Sequence, residues 1–503
     1  MRRWSAFAVV LAAAILCSCT TMRIPELAAP LAGTEQGLTP AEFREHVLMF
    51  NFRGKLLEPL SSSGPTADVG TTGYREVEQE AAPLGEAPSS GARTDQEYFQ
   101  RVIDGIVRRK QEAGRVEVLL FFHGGLNTRA TALKRAARQI VAMRAERPEL
   151  YPVFVNWETS LPASYKDHLL WIRNGQDTYK TGVILTPFVL LSDVTRSALD
   201  IPVANFMQFK EQRRHWGKHP DDDFVRVGTD CNESQKLDFR AGPPHDPTRM
   251  EKFRSNAVSV VTTILTKWWA AGILSATGGR AWASMLYTSD RLFYSDHELH
   301  QPYDYVGTVT GSGGLSQFLR ALSAALTPAD DVILAAHSAG AVVTGKIVAL
   351  FGDRLPIRTL VYMAPAATID ELKDGGRVAE FLGRDAARKL YILTLHERAE
   401  VSERFFLDLT PRGTLLAWLD EFIQPKHSEF PGMMMGRARN LRLHAHNIPC
   451  RIRPQISITA FAEERSRKPA QPQTHSSLGV LPYWDQTMWR PRFEGIVDKK
   501  QKP

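Results

Sequence analysis

Apolar residues gather along the chain into runs whose spacing predicts the elements. Val116-Glu117-Val118-Leu119-Leu120-Phe121-Phe122 and Val153-Phe154-Val155-Asn156-Trp157 are nearly continuous, as expected of strands buried on both faces of a parallel sheet. Between them, Thr128 to Ala145 is rich in Ala, Leu, Arg and Gln, helix formers that complete a strand, helix, strand crossover. Tyr98 to Ala113 reads as a helix ahead of the first strand. The pattern pauses after Trp157 and resumes with a helix at Leu315 to Leu326, a strand at Asp331 to Ala336 and a helix from Ala339 to Phe351. Arg358 to Met363 and Lys389 to Leu395 are β-rich and separated by a helical stretch from Ile369 to Leu382, and Gln455 to Phe461 is β-like. The sum is an α/β chain: a mostly parallel sheet flanked by helices, with a large helical insertion after the Trp157 strand.

Within that insertion, Val258, Val261, Ile264, Leu265, Trp268, Trp269, Gly272 and Ile273 recur at helical spacing, with Thr262, Thr263 and Lys267 elsewhere on the wheel. A lysine at the centre of a membrane span costs about 2.5 to 3.5 kcal/mol, so a buried cap helix is expected, the sharper alternative being that its Trp pair lines an acyl-chain pocket. Thr181 to Ser192 is apolar but interrupted by Pro187 and too short to span. Residues 61 to 95 are rich in Ser, Gly, Pro, Ala and Glu, cannot build a core and read as a flexible tether.

Composition narrows the class. The 503 residues are 43% hydrophobic and 23% charged, enough to bury a large core and incompatible with a wholly disordered or fibrous chain. A net charge of +7, from 62 basic and 55 acidic residues, is a small surplus and implies no nucleic-acid partner. Four cysteines are too few for a disulfide-built scaffold. Arg2 and Arg3 precede an apolar stretch, Ser5 to Leu16, of signal-peptide length. It closes with Leu16-Cys17-Ser18-Cys19, which resembles the bacterial lipobox. That resemblance implies a signal peptide over 1–18, lipidation of Cys19 and, with Thr20 rather than Asp next, delivery to the periplasmic face of the outer membrane. Oxidising surroundings then permit Cys231 to pair with Cys450, and equally leave them free thiols.

The strongest chemical signal is Val332-Ile333-Leu334-Ala335-Ala336-His337-Ser338-Ala339-Gly340, an apolar strand running through a small-residue turn into an apolar helix with a serine at the apex. It resembles the nucleophile elbow of the α/β-hydrolase superfamily, with Ala336 in place of the usual first glycine. The resemblance presents the Ser338 hydroxyl to substrate and turns the Ala339 N–H towards a forming oxyanion. His123-Gly124-Gly125-Leu126-Asn127, directly after the Val116 to Phe122 strand, resembles the oxyanion loop of lipases and esterases, which makes Gly125 and Leu126 the further donors and His123 a structural anchor. Val155 to Ser160 is similar to the strand-Trp-x-Ser end of one bacterial branch.

A serine alcohol needs a base oriented by a carboxylate, and the superfamily presents them in the order Ser, acid, His. His475, the last histidine, is the expected base, ahead of His427, His444 and His446. Glu397 is the expected acid, Glu400 the second choice and Asp370 the third. His396-Glu397-Arg398-Ala399-Glu400 lacks the second histidine of a zinc motif, His444-Ala445-His446 lacks further ligands, and Gly307 to Gly314 fits neither a P-loop nor a dinucleotide fingerprint, so no metal or cofactor is expected.

The resemblance therefore implies an α/β-hydrolase fold: residues 1–18 a signal, 19–95 a lipid-anchored tether, 96–160 and 315–490 the core, 161–314 a cap and 491–503 a tail. The implied activity is esterase or lipase-like cleavage of a carboxylic ester, such as a hydrophobic acyl ester or phospholipid, through an acyl-enzyme. A non-catalytic binding or scaffolding lipoprotein of this fold, and a peptidase or thioesterase with the same triad, stay open.

Overall fold

The computed structural model describes residues 38–59, 74–76, 95–125, 129–157, 159–170, 172–173, 176–177, 182–216, 231–245, 250, 266–299, 311–404, 410–423, 433–464, 466, 468 and 470–489. The signal over 1–18, Cys19, most of the expected tether, Leu126, Glu158, the 258–265 part of the expected cap helix, His427 and the tail lie outside the described residues.

Eight strands form one sheet: β1 Val47–Phe50, β2 Glu117–Phe122, β3 Leu150–Trp157, β4 Asp238–Ala241, β5 Asp331–His337, β6 Ile357–Met363, β7 Lys389–Thr394 and β8 Ile456–Ala460. Their order across the sheet is β1-β3-β2-β5-β6-β7-β8-β4, and every neighbouring pair is parallel. The fold belongs to the α/β class, with a geometry compatible with an α/β-hydrolase. Alternation along β2 explains the continuous apolar run. Val118, Leu120 and Phe122 enter the core on one face, Leu119 and Phe121 the core on the other, and all five are fully or almost fully buried.

The helices used below are α1 Asp95–Ala113, α2 Arg129–Glu146, α3 Leu161–Leu170, α4 Gly182–Trp216, α5 Gly279–Arg291, α6 Gly314–Ala325, α7 Gly340–Phe351, α8 Arg377–Gly383, α9 Glu397–Ser402 and α10 His475–Leu478. α1, α2, α6 and α7 fall where the apolar periodicity expects them. The Ile369 to Leu382 stretch is instead a short 3-10 turn, Ile369–Leu372, followed by α8.

Four expectations are corrected. Residues 38–59 do not belong to a flexible tether: a short helix, Pro40–Arg44, leads into β1, which pairs with β3 and is wholly buried. Four apolar residues are too short a run to stand out from sequence. The insertion is not only a helical cap, because its Asp238-Phe239-Arg240-Ala241 becomes the outermost strand, beside β8. Asp and Arg alternate with Phe and Ala along this strand and all four residues are half-buried, so it carries no continuous apolar run. Pro187 does not break its segment; it sits with Pro202 inside the 35-residue α4. Lys267 is buried rather than placed on a polar face. Among the described residues no helix is long and apolar enough to cross a membrane.

Cys231 and Cys450 are disulfide-bonded, with Cα atoms 5.7 Å apart across a separation of 219 residues. The bond ties the approach to β4 to the approach to β8. The rest of the cap is α3, α4, the helix Trp268–Ile273, a π-helical turn Leu274–Gly278 and α5. A Cβ on Gly272 would lie 2.6 Å from the Ser197 carbonyl oxygen, so a glycine there lets α4 and the Trp268–Ile273 helix approach backbone to backbone.

Candidate active site

The order of the strands decides where a site can form. From β2 the chain steps to β3 on one side, whereas β5 to β8 advance on the other, so connections leave the carboxyl ends of β2 and β5 in opposite directions and open a crevice there. The sequence motifs end at those two strands.

The chain reverses sharply at Ser338, whose φ is +51°, a left-handed conformation that costs a non-glycine residue about 1 to 2 kcal/mol. Neighbouring backbone holds it. The Ser338 N–H donates to the Met363 oxygen at 2.9 Å, and its own carbonyl accepts from Ala366 N at 2.9 Å and Ala341 N at 3.1 Å. Gly340 is required by space: a Cβ there would lie 2.3 Å from the Phe122 oxygen. Ala336 occupies the other constricted place and is completely buried.

His123 fixes the loop after β2. Its Nε2 accepts the Trp157 N–H at 3.0 Å, which puts the ring proton on Nδ1, and Nδ1 donates to the Gly124 carbonyl at 2.7 Å. The ring stacks on Trp157 with centroids 4.6 Å apart. Burial pushes its pKa down to about 4, so it stays neutral. Thr159 Oγ1 also donates to the Gly124 carbonyl, at 3.2 Å. Because the peptide is planar and trans, fixing that carbonyl aims the Gly125 N–H the opposite way. Gly124 lies directly on the elbow, where a Cβ would stand 2.7 Å from Ser338 Cβ and 2.5 Å from His337 Nδ1. Gly125 neighbours Ala339 and, from the cap, Met285: a Cβ on it would be 3.8 Å from Ala339 Cβ and 3.4 Å from Met285 Sδ. Gly125 and Ala339 thus lie close together, while Leu126 lies outside the described residues.

His475 opens α10 after β8, where Thr474 and Ser477 form a capping box. Its backbone is gripped from both sides. The N–H donates to Glu403 Oε2 at 2.9 Å, and the carbonyl accepts from His337 Nε2 at 3.0 Å. The His337 and His475 rings lie with centroids 5.0 Å apart. Four buried polar atoms in this cluster, Ser338 Oγ, His337 Nδ1 and both ring nitrogens of His475, make no hydrogen bond among the described residues. Burial pushes the His475 pKa down to about 4 and that of His337 well below its ordinary value, so both are neutral at pH 7.

The expected acids go elsewhere. Glu397 faces Arg439 at 3.5 Å, and Glu400 faces Arg437 at 3.5 Å and accepts from Thr414 Oγ1 at 3.3 Å. Burial raises Glu400 to about 8, against the pull of Arg437. Asp370 pairs with the half-buried Lys373 at 2.6 Å. The carboxylate that reaches His475 is Glu403, which sequence reasoning missed. Glu397 and Glu400, three apart on α9, share the face turned to the Arg437 to Arg439 segment, whereas Glu403 leaves the helix with extended backbone, φ −57° and ψ 136°, and swings to the base. Its spacing from Glu400 in an acidic loop after β7 was the available signal. His337, immediately before the serine, was also passed over. His444 and His446 form a ring pair of their own, centroids 5.9 Å apart. No cluster of three or more potential metal ligands occurs among the described residues.

One expectation about Ser338 is reversed. The hydroxyl is not presented to solvent: Ser338 is 0% exposed, enclosed by the glycine loop, with α5 of the cap packed on that loop through Met285. The closed cap removes what the elbow alone would display.

What fold and site define together is an α/β protein with an all-parallel eight-stranded sheet, in which a serine turn, a glycine loop and a downstream histidine meet where the strand order reverses. No family model, curated protein or solved structure matches the chain.

Proposed function

We propose that the protein is a serine hydrolase of the α/β-hydrolase fold that cleaves carboxylic esters through an acyl-enzyme, carried on the periplasmic face of the outer membrane by lipid on Cys19. The observation that carries this reading is the cluster of unsatisfied polar atoms on Ser338 and His475, set where the strand order reverses. Buried hydroxyls and imidazoles are otherwise almost always paired, and a nucleophile and its base must keep capacity free for substrate.

His475, neutral at pH 7, takes the Ser338 proton as Oγ attacks the ester carbonyl carbon, and the N–H groups of Gly125, Leu126 and Ala339 hold the oxyanion. The imidazolium returns its proton to the leaving alcohol, and a water deprotonated by His475 then releases the acid. Glu403 grips the backbone N–H of the base and so positions His475. Because Ser338 is enclosed, the glycine loop and α5 must part before substrate enters.

A second reading, a non-catalytic lipoprotein that keeps the fold as a binding surface, is favoured by the same enclosure and by the lack of a hydrogen bond between Ser338 and His475. Treating detergent-solubilised full-length protein with a fluorescent fluorophosphonate separates the two. Label on the wild type and none on Ser338→Ala supports the hydrolase; no label on either, with or without lipid vesicles, supports the binding protein.

A further inference from the structure

The long cap helix α4 is turned inside out. Its buried side is polar: Asp193 and Ser197 are 2% and 9% exposed, whereas Ile184, Phe188, Leu191, Leu199 and Phe206 are 72%, 70%, 65%, 71% and 66% exposed. The polar side is bonded to the cap. Asp193 Oδ2 accepts from Tyr165 Oη at 3.0 Å and faces His168 Nε2 at 3.4 Å, Arg280 Nε stands 3.6 Å from Oδ1, and Asp200 accepts from Ser275 Oγ at 3.0 Å. The orientation is thereby fixed, and the apolar side is left exposed. Scattered exposed apolar residues need no explanation, but a continuous stripe does.

We propose that α4 seats the cap on the surface of an anionic lipid bilayer. Positions 184, 188, 191, 195, 199, 202 and 206 recur about every 3.7 residues, close to the helical period of 3.6, which keeps them on one face of α4. Thr195 and Pro202 complete the row and are also exposed. The row runs about 33 Å at 1.5 Å per residue, and Leu185 and Val194 widen it on either flank. With Asp193 and Ser197 buried against the cap and the apolar residues on the opposite side, the helix suits an interfacial seat rather than a span. Its last turns carry Lys210, Arg213 and Arg214 against Glu211, a charge suited to anionic headgroups.

The proposal rests on the lipidated Cys19 for proximity only. The nineteen Cα–Cα steps from Cys19 to Leu38 span at most about 68 Å, so an anchored chain meets the bilayer at high effective concentration and a weak interfacial affinity suffices. It does not depend on catalysis.

The test places an environment-sensitive fluorophore on Phe188→Cys, Leu191→Cys or Arg196→Cys in the full chain, Cys231 and Cys450 remaining disulfide-bonded. Each is reconstituted into phosphatidylethanolamine and phosphatidylglycerol vesicles containing doxyl-labelled lipid. Emission from positions 188 and 191 shifts to the blue and is quenched, and emission from the flank at 196 does neither. Absence of quenching at 188 and 191 overturns the seat, equal quenching at all three overturns its one-sidedness, and self-crosslinking at 188 without quenching assigns the stripe to a second copy of the chain.

Discussion

Replacing Glu403 by Gln isolates what one carboxylate costs when it is buried beside the base. Burial pushes the Glu403 carboxyl from 4.5 up to about 7, against the smaller opposing pull of the His475 N–H. The folded chain therefore keeps this proton longer than the unfolded chain, and the associated stability is complete below pH 4.5 and lost as the pH rises through about 7. At 1.36 kcal/mol per pH unit, and allowing for partial ionisation at the lower end, wild type should lose about 2 to 3 kcal/mol more than Glu403→Gln between pH 5 and pH 8.5. Glutamine keeps an oxygen to accept the His475 N–H and has no proton to lose. The buried carboxyls of Glu400 and Asp420, also raised, contribute equally to both proteins and cancel in the comparison. Urea unfolding of both full chains at the two pH values, disulfide intact, reads the difference. Parallel losses would refute the reasoning, since they would mean that Glu403 ionises in the folded protein as readily as in the unfolded one.

Gly124→Ala should leave far-UV dichroism intact and lower ester turnover about 10²-fold or more, because its Cβ meets a histidine ring and Ser338 Cβ at 2.5 and 2.7 Å and displaces a loop expected to supply oxyanion donors; unchanged turnover would separate that loop from the chemistry. Ser338→Ala should raise the urea midpoint, by about 1 kcal/mol in stability, since it removes a buried hydroxyl that has no partner. A drop in the midpoint would mean that the hydroxyl is bonded. Replacing both Cys231 and Cys450 by Ser opens a loop of 219 residues and should cost up to about 5 kcal/mol on chain entropy. Wild-type melting should then fall on adding reductant, and the double variant should not respond.

The elements that proved legible were those with strong local signals. The doubly buried strands β2, β3, β5, β6 and β7 announce themselves as apolar runs because both faces of a parallel sheet are covered. Ser338, Gly340 and Gly124 could be read because a turn that tight, and a loop that close, admit only small residues, and steric demands of this kind are written locally. β1 and β4 were hidden because each is four residues long, and β4 also mixes Asp and Arg with Phe and Ala and is only half-buried.

What the chain by itself determined is the alternation of strands and helices and the small-residue turns, since both follow from backbone sterics and the periodicity of burial. The tertiary structure alone decided which carboxylate meets His475, which way α4 faces, and whether Ser338 is open. Glu397, Glu400 and Glu403 are chemically identical, and only the end of α9 separates the one that reaches the base. The face of α4 is set by Asp193 finding Tyr165, His168 and Arg280, partners on other elements. The enclosure of Ser338 comes from a glycine loop more than two hundred residues earlier in the chain and the cap packed on it. These are contacts between distant segments, and no local window contains both partners.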